Sequence, residues 1–160
     1  MYLNSYVMVM LYRNWLDLDP TTRAGYIATL EVALPKIREV VLAKGWPKDA
    51  LANVLEYLKL PVLIRSGLTA LVINDEYLFL YAIGDGWWST RPYMVEEFIF
   101  ALEPNGDFDA CLAVIENHAR ELGCGSVCIG TAAARSDKAY ARHLSRRGYK
   151  TLAYQLVKEV

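Results

Sequence analysis

The segment that most constrains how this chain can fold is its last third, from Tyr93 to Val160. It opens with a nearly continuous apolar run, Met94-Val-Glu-Glu-Phe-Ile-Phe-Ala-Leu102, closed by Glu103-Pro-Asn-Gly106, which predicts a largely buried strand ending in a turn. Asp107 is a good N-cap for the helix that follows. Phe108, Cys111, Leu112, Ile115, Ala119 and Leu122 recur at the three- and four-residue spacing of one buried face, and Gly123 stops it. Ser126 to Ile129 then reads as a short strand, Ser136 to Arg147 as a second helix and Tyr149 to Val157 as a last strand. A helix crossing from one strand to the next implies parallel pairing and a right-handed connection. The strands at 94–102 and 126–129 should therefore lie side by side, with a crevice at their carboxyl ends.

Upstream, Tyr6 to Tyr12 is apolar and rich in strand formers. Asp19-Pro20 starts a helix, with Asp as cap and Pro where its missing N–H costs little. Pro35 should divide this segment into helices over 21–34 and 36–44, the second closed by Gly45. Trp46-Pro47 opens a third helix through Lys59, with Leu51, Val54, Leu55 and Leu58 on its buried face. Val62 to Ile64, Leu68 to Ile73 and Tyr77 to Ile83 are strand-like, and Asn74-Asp75-Glu76 turns the last two into an antiparallel hairpin.

The 54% hydrophobic and 22% charged residues exclude a disordered chain, and a net charge of -1 offers no global field for nucleic acid or membrane. Residues 1–13 lack the basic start and cleavage site of a secretory signal, and no apolar run reaches the roughly 18 residues of a spanning helix. A soluble cytoplasmic protein without membrane contact is expected. Cys111, Cys124 and Cys128 lack zinc-ligand spacing and read as buried free thiols, and His118 and His143 as surface helix residues, so no metal site is expected.

Strand, helices, an antiparallel run of strands, then strand, helix, strand, helix, strand is an order that resembles the GNAT acyltransferase superfamily over nearly the whole chain. Glu96-Glu-Phe98 looks like the start of that family's fourth strand, Glu116 to Gly123 like the end of its central helix, and Gly148-Tyr149 like its Gly-Phe pair before the final strand. The resemblance implies an α/β fold of GNAT type in one domain over residues 1–160, a central twisted mixed sheet flanked by helices. Short proteins of this look are also encoded by tailed bacteriophages, and some are carried in the virion, within the host cytoplasm.

The resemblance also sets chemical requirements. The family cradles the cofactor pyrophosphate with an Arg/Gln-x-x-Gly-x-Gly/Ala turn whose backbone N–H groups and helix N-terminus face the phosphates. Here the place is taken by Glu103-Pro-Asn-Gly-Asp-Phe-Asp109: one glycine remains, Pro104 has no N–H, Asp107 occupies an amide as N-cap, and Asp107 and Asp109 repel a diphosphate. That repulsion is on the order of several kcal/mol, enough to remove a micromolar affinity. The family's acid is a tyrosine four residues before the Gly-Phe pair; that position is Leu144, and Tyr140 lies one turn away as a displaced substitute or as a packing partner of Leu144. For the base, Glu96 and Glu97 point to opposite faces. The parity of its neighbours favours Glu97, Glu96 sharing a face with Met94, Phe98 and Phe100, and the alternation leaves open which face meets the crevice.

Arg135, Lys138, Arg142 and Arg146 form one basic stripe on the last helix: a solvated face, a contact for an acidic protein or nucleic-acid backbone, or a grip on a coenzyme phosphate. If acyl-CoA binds, Asn105 and Gly106 at the turn and Arg135 and Arg142 on the stripe are its contacts. The loop before the organising strand carries Trp87, Trp88, Arg91 and Tyr93, residue types that dominate interface hot spots. The leading expectation is a non-catalytic structural or interaction protein on an acyltransferase scaffold, with no cofactor and with a protein partner or self-association. The alternative is a divergent acyl-CoA-dependent N-acetyltransferase acting on an amine or protein, with acetyl-CoA as cofactor.

Overall fold

The structure, a computed structural model, describes residues 12–60, 67–86, 89–153 and 155–160. Its centre is the hairpin β2 (Leu68–Ile73) and β3 (Tyr77–Gly84), with β4 (Tyr93–Ala101) antiparallel to β3. Asn74 and Asp75 turn the hairpin with φ of 54° and 57°, the left-handed region that these two residue types tolerate best among those with a side chain. β1 (Tyr12–Asn14) adds antiparallel to β2, and β5 (Ser126–Cys128) adds parallel to β4, giving the mixed order β1-β2-β3-β4-β5. The expected strand at 62–64, and all but Tyr12 of the one at 6–12, lie outside the described residues.

Both faces of the sheet are covered, which is why β2 and β3 read as unbroken apolar runs rather than as alternations. Ala70, Val72, Leu78 and Leu80 bury against Leu30 and Leu34 of α1 (Pro20–Ala43) and Leu58 of α2 (Val54–Lys59). Leu71, Ile73, Phe79 and Tyr81 bury on the other side against Cys111, Val114 and Ile115 of α3 (Phe108–Glu121). Each large side chain so buried contributes roughly 1.5–3 kcal/mol. Trp15, in a 3₁₀ turn after β1, is 1% exposed and donates its indole N–H to the carbonyl of Leu58 at 2.9 Å, so burial leaves no donor unpaired.

Four expectations are corrected. Pro35 does not divide α1, which runs unbroken from Pro20 to Ala43. The lost backbone bond is on the exposed side of the helix, while Leu30, Leu34 and Val41 stay buried across it, so packing outweighs the roughly 3 kcal/mol penalty. The helix expected from Trp46 is only Val54–Lys59, because Leu51 sits at φ 61° and breaks the preceding turns. Residues 149–153 and 155–160 form no strand. Cys128 is exposed while Cys111 and Cys124 are buried, and all three are free thiols. No helix among the described residues is long and apolar enough to cross a membrane.

His118 is also not a surface residue. It is 8% exposed, its Nε2 lies 2.8 Å from the Tyr81 hydroxyl, and the Tyr12 ring packs 4.7 Å from its own. Burial lowers its pKa below the ordinary 6.5, and the Glu121 carboxylate opposes the shift only in part. The folded state thus binds fewer protons than the unfolded one, and stability present above about pH 6.5 is lost as pH falls through the folded value. Denaturant titrations should show a loss between pH 7 and 5 that His118→Gln lacks; parallel pH dependences in the two proteins would refute this assignment.

Candidate functional site

β4 and β5 pair for only three residues, Tyr93 with Ser126, Met94 with Val127 and Val95 with Cys128. β4 then runs on to Ala101 with no strand on that side among the described residues. Where the strands part, the Gly130 amide donates to the Glu96 carboxylate at 2.9 Å. Burial raises the pKa of Glu96 to about 7, and this amide bond offsets part of the shift. A carboxyl group poised near neutrality at a crevice can take or give a proton.

A β-bulge decides which glutamate stands there. Leu80 pairs with Phe98 and Tyr81 with Glu96, so Glu97 is an extra residue with no partner on β3. The extra residue reverses the alternation. Met94 faces α3 while Phe98 and Phe100 face α1 and α2, so Glu96 does not share a face with the two phenylalanines as simple parity requires. Glu96 stands opposite Tyr81, on the α3 side, and Glu97 is exposed at the bulge. No feature of two adjacent glutamates in an apolar run signals this.

Tyr140 sits on α4 (Asp137–Ser145), which Ser136 caps and whose Leu144 is buried. Its ring lies 5.7 Å from Phe108, the first residue of α3. Burial first, then the nearby Glu96 charge, raise its pKa far above 10.0, so it keeps its proton. Glu96 on β4 and Tyr140 beside the start of α3 thus lie within electrostatic reach of one another. The loop between β5 and α4 is held by Lys44 at the C-terminal end of α1, whose ammonium reaches the carbonyls of Thr131, Ala132 and Ala134 at 2.9, 3.0 and 2.6 Å and the Asp137 carboxylate. Sequence reasoning missed Lys44, which carries no local signal because its partners lie about ninety positions away.

At the turn before α3, backbone donors are turned inward. Asp107 caps the helix by accepting from Ala110 N at 3.0 Å, as expected from its position. Its own amide donates to the Glu76 carboxylate at 3.0 Å, and the Gly106 amide donates to the Glu103 carbonyl at 3.3 Å. Glu76 is the second residue sequence reasoning missed. Gly106 is demanded by Tyr77, whose ring would lie 2.8 Å from a Cβ there and whose hydroxyl donates to the Gly106 carbonyl. Asp109 lies 3.0 Å from His143 and Asn105 is exposed.

Arg135, Lys138, Arg142 and Arg146 are all exposed and form no ion pair among the described residues, whereas Arg147 pairs with Glu116 at 2.9 Å. Trp87 and Trp88 lie outside the described residues. Arg91 is exposed, with its guanidinium over Gly125, and the Tyr93 ring crosses Gly84. A groove of about 440 Å³ opens elsewhere, beside β5, lined by Glu116, Arg120, Ser126, Val127, Tyr149 and Leu152 among others. Neither Glu96, Tyr140 nor the turn at 103–107 lines it.

The strand order, the parallel pair that parts after three residues and the helices on both faces make this the fold of GNAT acetyltransferases. Similar solved structures include an acetyltransferase from Trypanosoma brucei, 14% identical, covering 94% of this chain and 99% of that one with a TM-score of 0.55. An aminoglycoside acetyltransferase from an uncultured soil metagenomic sample is 13% identical, covering 96% and 99% with a TM-score of 0.57. AAC(6')-Iy, in complex with the bisubstrate analog CoA-S-monomethyl-acetylneamine, is 16% identical, covering 94% and 97% with a TM-score of 0.55. No protein-family model and no curated protein matches the sequence.

Because its folded pKa is raised, Glu96 contributes stability that is full below about 4.5 and is lost as pH rises through about 7. Glu96→Gln keeps an acceptor for Gly130 and removes the charge. It should match the wild type in stability near pH 4.5 and exceed it at pH 8 by on the order of 1–3 kcal/mol in urea unfolding. Equal stabilities at pH 8 would mean that the carboxylate is not desolvated.

Proposed function

We propose that this GNAT-fold chain is a non-catalytic structural or interaction protein that does not grip acyl-CoA through the turn before α3. The observation that carries the reading is the use of the amides at that turn. The Gly106, Asp107 and Ala110 amides are taken by Glu103, Glu76 and Asp107, and two of those acceptors are carboxylates. A diphosphate would have to displace bonds already made and sit beside the charges of Glu76, Asp107 and Asp109, at the helix end where anions otherwise bind most readily. The exposed cations of α4 are then surface for an acidic partner rather than for a coenzyme. The likeness to bacteriophage proteins rests on the sequence resemblance alone.

A second reading has its own observation. Glu96, with its pKa near 7, and the protonated Tyr140 face the opening between β4 and β5, and these are the groups that an amine-to-thioester transfer needs as base and acid. AAC(6')-Iy, similar in fold, binds a CoA bisubstrate analog. In this reading the chain is a divergent N-acetyltransferase that holds acetyl-CoA by contacts other than the α3 turn, with Glu96 in the role expected of Glu97.

Calorimetry and thermal denaturation with acetyl-CoA separate the two. A ligand present at a hundredfold its Kd stabilises by about 2.7 kcal/mol, which shifts the melting temperature of a chain this size by several degrees. Millimolar acetyl-CoA should give no shift and no heat of binding. Micromolar affinity, with acyl transfer lost in Glu96→Gln and Tyr140→Phe while that affinity persists, would replace the non-catalytic reading with the enzymatic one.

A further inference from the structure

The two faces of α4 differ in chemistry. Tyr140, His143, Leu144 and Arg147 recur at three- and four-residue spacing, and each is held inward. Tyr140 packs on Phe108, His143 lies 3.0 Å from Asp109, Leu144 is 5% exposed and Arg147 pairs with Glu116 at 2.9 Å. The opposite face is cationic. Lys138, Arg142 and Arg146 share it, Arg135 stands just before the Ser136 cap and Lys150 just beyond the end; all five are exposed and form no ion pair among the described residues. The acid beside them, Asp137, is neutralised by Lys44 from α1. Residues 130–150 hold six of the seventeen lysines and arginines and only one of the eighteen aspartates and glutamates, so the rest of the chain is net acidic.

We infer that this face of α4 binds the phosphate backbone of a nucleic-acid duplex, without reading base sequence. A total charge of -1 does not oppose the contact, because charges are screened over about 8 Å at physiological salt and the local charge of the face counts for more than the sum. The acidic remainder of the chain repels the same duplex and so selects which side approaches it. Other polyanions fit the face less well. A protein interface has an apolar or aromatic centre with charges at its rim, whereas the exposed residues of α4 and its caps, besides the cations, are Ser136, Asp137, Ala139 and Ser145. Single strands are held by aromatic side chains on which bases stack, and this face carries none. Arginine, three of the four residues from Arg135 to Arg146, meets phosphate with paired hydrogen bonds. From Lys138 to Arg146 the helix covers about 12 Å, a length over which one strand of a duplex presents about three or four phosphates. The duplex is thereby the acidic partner that the non-catalytic reading leaves to α4, and its assignment rests on that reading.

Fluorescence anisotropy with a labelled DNA duplex of mixed sequence, about 20 base pairs long, should give micromolar affinity at about 50 mM salt. Contacts from Arg135, Lys138, Arg142 and Arg146 should make log K fall with log salt concentration at a slope of about -3.6, roughly a hundredfold between 50 and 200 mM. Arg142→Ala with Arg146→Ala should bring the slope to about -1.8. The melting transition should stay cooperative, since both side chains are exposed. Absence of binding at the lower salt, an unchanged slope in the double variant, or equal affinity for poly-glutamate or for single-stranded DNA of the same charge overturns the inference. Acetyl-CoA distinguishes its failure from that of the reading beneath it. No duplex binding, with millimolar acetyl-CoA still giving no heat, overturns the duplex alone; a bound duplex that millimolar acetyl-CoA displaces overturns the non-catalytic reading and the duplex with it.

Discussion

The hydrogen bond from Gly130 to Glu96 sits where everything else in this molecule divides. Up to Val95, β4 has a strand on each side; beyond it, one side is open and the sheet must be closed by other means. A strand cannot leave backbone donors facing an apolar interior without a partner, so a parting of two central strands survives only if it is wet, bridged or used. Here it is bridged by a carboxyl group whose burial raises its affinity for a proton. The bulge at Glu97 is coupled to the same point, because the extra residue lets β4 change which side chains face α3 just as β5 departs. Lys44 then holds the departing chain from the far end of α1, with three carbonyls and a carboxylate gathered on one ammonium.

Most of the fold was legible because each element carries its own boundary chemistry. Asp19, Asp107 and Ser136 accept from the amides three residues on, and Gly45 and Gly123 follow their helices with φ of 93° and 77°. What failed were inferences that needed tertiary context. Pro35 breaks a helix in isolation, but in α1 the buried residues on both sides of it hold the helix together. The segment from Tyr149 to Val157 has every local property of a strand, and local properties do not supply an edge to pair with.

The candidate site was legible by residue type and not by residue. The sequence narrows the expected base to one of two neighbouring glutamates, and only the bulge shows which of them stays exposed and which turns inward. Parity is a rule about unbroken strands, so a single inserted residue inverts it with no change in composition. Tyr140 falls on α4 as helical spacing has it, and its contact with Phe108 follows from α4 packing on the start of α3. Trp87 and Trp88, the most conspicuous residues of the sequence, lie outside what the structure describes.

Glu76 ties the end of β4 to the start of α3. Its carbonyl accepts the amides of Leu102 and Glu103 at 2.7 and 3.3 Å, which closes the end of β4, and its carboxylate accepts the Asp107 amide, which orders the start of α3. One residue in the β2–β3 turn thus fixes both the strand end and the helix start. Removing Asp107 would free the Ala110 amide and leave Glu76 in place, with its charge still at the positive end of the helix dipole. Removing Glu76 would free the Asp107 amide, but its carbonyl bonds are to backbone and survive any side-chain change. The acidic occupation of this helix end is therefore distributed over two loops that meet there, the β2–β3 turn with Glu76 and the turn before α3 with Asp107.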